Sequence, residues 1–126
     1  MTDPNDIAFD FAEGIAVFRL VGAHTLQAAT RRIRDAIAAA HAQRIRKLAV
    51  VLVDATGFEV PGLAMRAAMI REWADAAGGV VGVAVACRPE FIDPQRFGVA
   101  FATNLGMVAN VFETEAEAIE WLHDSV

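Results

Sequence analysis

The sequence predicts an α/β fold: one mainly parallel sheet with helices on its faces, in the order ββαβαβαβα. Three observations carry this. Two runs of small apolar residues, 48–53 and 80–86, have the unbroken hydrophobicity of strands covered on both faces. The stretches between strands repeat apolar residues every three or four positions, the period of an amphipathic helix. The opening residues alternate large apolar with small or acidic side chains, as a half-exposed hairpin does. At 126 residues the chain suits one domain, 1–126, large enough to enclose a core without staples.

Each element has its own signal. Ile7, Phe9 and Phe11 alternate with Ala8 and Asp10, which predicts a first strand over 7–11. Ala12, Glu13 and Gly14 form a turn, and residues 15–21 make the antiparallel partner. Thr25 is an N-cap. Behind it Leu26, Ala29, Ile33, Ile37 and Ala40 share one helix face, with Arg31, Arg34 and Asp35 outside, and the helix ends near Gln43. The run Leu-Ala-Val-Val-Leu-Val is the next strand, broken by Asp54, Ala55, Thr56 and Gly57.

A second helix is expected over 61–77, with Pro61 in its first turn, where the missing N–H costs little. Leu63, Ala67, Ile70, Trp73, Ala74 and Ala77 form its core stripe, and Gly78 with Gly79 stops it. Residues 80–86 follow as a strand. Asp93 caps a third helix with Pro94 at its first position, Phe97, Phe101 and Leu105 line one side, and Gly106 ends it. Residues 107–112 form the last strand. Thr114 and Glu117 then make a capping box for a helix that buries Ala118, Trp121 and Leu122.

Composition narrows the function. The net charge of −5 argues against general nucleic-acid binding, which needs a basic field. One basic stretch stands out: Arg19, Arg31, Arg32, Arg34, Arg44, Arg46 and Lys47, interrupted only by Asp35. It reads as a solvated helix face and a helix C-terminus, where cations suit the dipole, or as a surface for an acidic partner. The longest uncharged apolar run, 78–87, is too short and glycine-rich to span a bilayer. The acidic N-terminus lacks the pattern of a signal peptide. Cys87 stands alone, so no internal disulfide is expected. The expected compartment is the cytoplasm.

Little here suggests catalysis. Functional groups in parallel sheets collect beyond the carboxyl ends of the strands. That edge holds Gly22, Ala23 and His24, then residues 54–62 and 87–93. His24 could approach Thr56, but no third group and no glycine elbow complete a nucleophilic site. One cysteine and three scattered histidines do not make a zinc site. Neither glycine fingerprint for phosphates is present. Cys87 beside Arg88 reads as a packing residue rather than a reactive thiolate. The expectation is a non-catalytic domain with no cofactor and no metal.

Asp54, Ala55, Thr56 and Gly57 leave the central strand and precede the second helix. With the opening hairpin and the alternation after it, this turn resembles the STAS superfamily, in particular small bacterial anti-sigma-factor antagonists and related stand-alone domains. The resemblance covers about the whole chain. It implies a STAS-like fold and a regulatory role. In such proteins a partner kinase phosphorylates the Ser or Thr of an Asp-x-Ser/Thr-Gly turn, which here is Thr56 between Asp54 and Gly57. The chain departs at Ala55, where a Ser is usual, and at Phe58, Glu59, Val60 and Pro61, where glycine and small apolar residues are usual. Without a phosphate role, Asp54 and Thr56 would bond backbone groups in the turn and cap the helix.

A second surface adjoins this turn. Met65 and Met69 lie one helical turn apart, off the main stripe, and methionine suits adaptable binding faces. With Phe58, Val60 and Leu63 they form a patch or a pocket lip, or else they pack under the third helix beside Phe91, Ile92, Phe97 and Phe101. The resemblance also implies lipid-like ligands or peripheral membrane contact for related stand-alone domains. The expected function is therefore a protein-interaction module switched at Thr56. Its binding surface would be Asp54, Gly57, Phe58, Pro61, Leu63, Met65 and Met69, and its partner a kinase or an anti-sigma-like protein. The alternative is a module for a lipid or another small hydrophobic ligand. Exposed apolar surface would also suit a homodimer.

Overall fold

Strand β4 (Lys47–Val51) lies in the middle of the sheet because both of its faces are apolar: Leu48, Ala49, Val50 and Val51 are all buried. The computed structural model describes residues 7–125. A five-stranded sheet runs β1 (Asp10–Ala12), β2 (Ile15–Arg19), β4, β6 (Gly82–Ala86), β7 (Ala109–Phe112). Only β1 is antiparallel, paired to β2 across the expected turn at Glu13 and Gly14. The β2–β4, β4–β6 and β6–β7 pairs are parallel. The connecting helices are α1 (Leu26–Ala42), α2 (Leu63–Ala77) and α3 (Phe97–Asn104), and α4 (Glu115–Asp124) follows β7. The fold is α/β, a mixed sheet with four flanking helices.

Strand alternation divides the core between the two faces of the sheet. Ala16, Leu48, Val50 and Val83 point to the face that α1, α2 and α3 cover, where Ile33, Ile37, Ile70 and Ala102 meet them. The opposite face presents Val17, Ala49, Ala84 and Ala86 to α4, whose Ala118, Ile119 and Leu122 are buried against it. Three alanines on that side let α4 approach closely. Burying each large aliphatic side chain contributes about 1.5–3 kcal/mol.

Both threonines cap as read, although among the described residues Glu117 accepts the Thr114 hydroxyl and not its backbone N–H, so the box is only half made. Thr25 Oγ1 accepts the Ala28 N–H at 3.1 Å, and Thr114 Oγ1 accepts the Glu117 N–H at 3.2 Å while donating to the Glu117 carboxylate at 2.9 Å. Gly78, at φ 59°, closes α2 in the left-handed conformation.

Several boundaries differ from expectation. The first strand begins at Asp10 and not at Ile7, because Gln43 Nε2 donates to the Ile7 carbonyl at 2.8 Å and holds that stretch against the end of α1. Strand β2 stops at Arg19. The turn at Gly22 (φ 88°) then opens a two-residue strand, β3 (Gly22–Ala23), parallel to β5 (Ala55–Thr56). The sequence reading missed this pair, since two residues are too few to show alternation. The third parallel strand begins at Gly82, with Val80 left 48% exposed, and the last begins at Ala109.

Pro61 is not in the first turn of α2: Gly62 is the N-cap and Leu63 the first helical residue. Leu63 is 64% exposed and leaves the core stripe, which rests on Ile70 and Ala77 with Trp73 and Ala74 half-buried. Asp93 does cap α3, its Oδ2 accepting the Phe97 N–H at 2.8 Å, but Pro94 falls in the turn before the helix. Leu105 follows the last residue of α3 and is 40% exposed.

Candidate functional site

The helix layer over the first sheet face does not close completely. Between α1, α2, α3 and the carboxyl ends of β4 and β6 lies an apolar cavity of about 160 Å³, partly open to solvent. The position follows the general rule for open parallel sheets, whose ligand crevices lie beyond the strand ends. Buried Ile33, Ile37, Val83, Ala102 and Met107 line its inner end. Nearer the sheet edge it is bounded by Leu52, Phe58, Pro61, Cys87 and Phe91. Phe58 and Phe91 meet edge to face, ring centroids 5.6 Å apart.

The wall is held by hydrogen bonds that leave few polar atoms facing inward. Trp73 Nε1 donates to the Thr30 carbonyl at 3.1 Å, tying α2 to α1. The Thr30 hydroxyl donates to the Leu26 carbonyl at 2.8 Å. A comparable apolar cavity of about 150 Å³ in another protein stays dry and admits benzene. This one is similar in volume and differs in reaching solvent.

Polar groups gather where the cavity meets solvent. Half-buried Arg66 donates from its guanidinium to the Phe91 carbonyl at 3.1 Å, fixing the short helical turn Pro89–Phe91. Exposed Arg96 donates to the Asn110 side chain and to the Val111 carbonyl. Asp93 is also at the wall, but its two oxygens take the Phe97 and Gln95 N–H groups. The sequence reading named none of Arg66, Arg96 and Asn110. Arg66 had a signal, since it lies three positions before Met69 and so on the same helix face.

Cys87 is buried in the same wall. Burial pushes its thiol up from 9.0 to about 11, against a smaller opposing pull from Arg66, with Glu90 and Glu113 adding to the rise. At neutral pH it is a protonated packing group rather than a nucleophile.

The expected recognition residues divide into two sets. Phe58, Pro61 and Met69 line the cavity. Leu63, Met65 and Val60 are 64%, 47% and 44% exposed and form an outer apolar patch. Met65 and Met69 also border a shallow groove between α1 and α2, with Arg31 and Glu72 on its walls. Asp54 and Thr56 are exposed, and the Thr56 hydroxyl makes no hydrogen bond among the described residues. Thr56 therefore does not cap a helix; its backbone carbonyl accepts the His24 N–H at 2.8 Å.

Gly57 has a structural reason of its own. At φ 97° a side chain there would place its Cβ 2.6 Å from the His24 carbonyl oxygen.

His24 does not serve Thr56. Its Nε2 lies 3.0 Å from the Val21 carbonyl, and no hydrogen bond links its ring to the hydroxyl among the described residues. No group of three metal-ligating side chains occurs among the described residues. Nor is any helix among them long and apolar enough to cross a membrane. The basic stretch does not form one field: Arg19 pairs with Asp10 and Glu115, Arg34 with Asp35 and Glu72, and Arg32 lies over the Phe18 ring. No family model matches the chain, and no curated protein or solved structure matches it significantly.

Proposed function

We propose that this chain is a STAS-like, non-catalytic binding domain that takes a small apolar or amphipathic ligand beneath α1, α2 and α3. The cavity of about 160 Å³ at the strand ends carries the reading. Its inner wall is apolar, and it opens to solvent. An opening antiparallel hairpin followed by three parallel strand pairs supports the STAS-like assignment.

The test uses Trp73, which lines the cavity, in a Trp121→Phe background so that one indole reports. Titration with 1-octanol is expected to shift Trp73 emission saturably. Val85→Phe, which extends a ring into the cavity from β6, should weaken binding about tenfold, equivalent to about 1.4 kcal/mol. Its folding stability should stay within about 2 kcal/mol of the parent. A linear, non-saturating response that is the same in both proteins would exclude the proposal.

A second reading, a protein-interaction module switched at Thr56, is favoured by one observation: the hydroxyl is exposed and unbonded among the described residues. A phosphate there would add close to two negative charges beside exposed Asp54 and Glu59. Like charges would then repel, altering what docks on the patch more than the fold beneath. Intact-mass analysis of protein from the native host should show a phosphorylated fraction that Thr56→Val abolishes. An unchanged phosphorylated fraction in Thr56→Val would remove Thr56 as the acceptor, and no phosphate at all would remove the switch.

A further inference from the structure

The cavity has a direction. Its inner end is closed by Ile33, Ile37, Val83 and Met107, each no more than 5% exposed. Its outer end carries Arg66 and Arg96. Neither arginine has a carboxylate within 4.0 Å among the described residues; each donates only to neutral carbonyl or amide oxygens. The third charged group at the wall, Asp93, has its oxygens engaged by backbone N–H groups. A half-buried guanidinium beside apolar surface gains most from an anionic partner, because the bond is charge-assisted and water competes less there.

Arg96 is held in place at the rim by its own local structure. It sits at φ 55°, ψ 39°, a left-handed conformation uncommon for a side chain of its size. The Asp93 turn sets this conformation: the Asp93 carbonyl accepts the Arg96 N–H at 2.8 Å as the chain enters α3. Here the side chain is pinned across the rim by Asn110 and the Val111 carbonyl.

We infer that the ligand is an amphiphile with one anionic head and a short alkyl chain or single ring as its tail. The tail enters between Ile33, Ile37 and Met107, and Arg66 and Arg96 hold the head at the rim. This rests on the ligand-binding reading above and names its chemical class. Carboxylate and phosphate heads share the chemistry, and the experiment separates them.

Octanoate, octyl phosphate and 1-octanol are titrated against Trp73 emission at constant ionic strength. At least one anion should bind about tenfold more tightly than the alcohol. Raising salt should weaken the anion and leave the alcohol unchanged. The combined variant Arg66→Gln, Arg96→Gly should bring anion and alcohol within twofold of each other. Glycine at 96 suits the left-handed backbone, so the substitution itself adds no strain. Arg66→Lys, which keeps the charge, should retain most of the preference.

Tighter octanoate would assign a carboxylate head and tighter octyl phosphate a phosphate head. If the alcohol binds as well as both anions, or the preference survives the double variant, the inference is overturned while the ligand-binding reading stands. If none of the three saturates, both are overturned.

Discussion

Gly57→Val is expected to destabilise the fold by about 3 kcal/mol or more, and to do so from a loop on the surface. Two effects add. The native φ of 97° lies where a β-branched residue is strained, at about 1–3 kcal/mol. The new Cβ would also stand 2.6 Å from the His24 oxygen and 2.9 Å from the His24 nitrogen, so backbone and not a flexible side chain must move. That movement breaks the β3–β5 pairing, including the His24 N–H to Thr56 carbonyl bond. Urea unfolding of Gly57→Val against Thr56→Val measures it. The neighbouring threonine is exposed, and its substitution should cost under about 0.5 kcal/mol. Equal midpoints for the two variants would mean that the close approach to His24 is not what holds this corner.

Ile37→Ala should cost roughly 2–5 kcal/mol, from lost transfer energy and a larger void. Ile37 is fully buried and lines the inner end of the cavity. Leu122→Ala, on the α4 face at 2% exposure, should cost a similar amount. The two variants should part on adding benzene or 1-octanol. The enlarged cavity in Ile37→Ala joins an opening that already reaches solvent, so saturating ligand should recover stability by RT ln(1 + [L]/Kd), about 2.7 kcal/mol at a hundredfold excess over Kd. Leu122 does not line that cavity, so Leu122→Ala should recover little. Thermal denaturation with and without ligand reads both, and equal rescue of the two variants would show that the effect is not site-specific.

Much of the architecture could be read from the chain because it rests on local chemistry. Thr25 and Thr114 are caps whose partners lie three residues away. The apolar run at 48–53 has the continuous hydrophobicity of a strand covered on both sides, and β4 is one, although it ends at Val51. What resisted reading depends on distant residues. The β3–β5 pair brings together residues more than thirty positions apart in two-residue strands, too short for a period. Gly57 was expected at a recognition surface; its constraint comes from His24, which only that pairing brings near. Phe58 and Met69 were recognised as a lip or a core, and Pro61 as part of a binding surface, but an unfilled volume has no residue of its own to announce it. Arg96 gave no signal, since its left-handed backbone is decided by how the Asp93 turn delivers the chain into α3.

The void is one-sided: α4 supplies none of the residues around it. Hydrostatic compression favours states that eliminate such internal volume, so the two halves of this molecule respond to it unequally. The expected site of pressure-induced loosening is the three-helix layer over the void, before the α4 contact. An occupant of the void would reduce that difference.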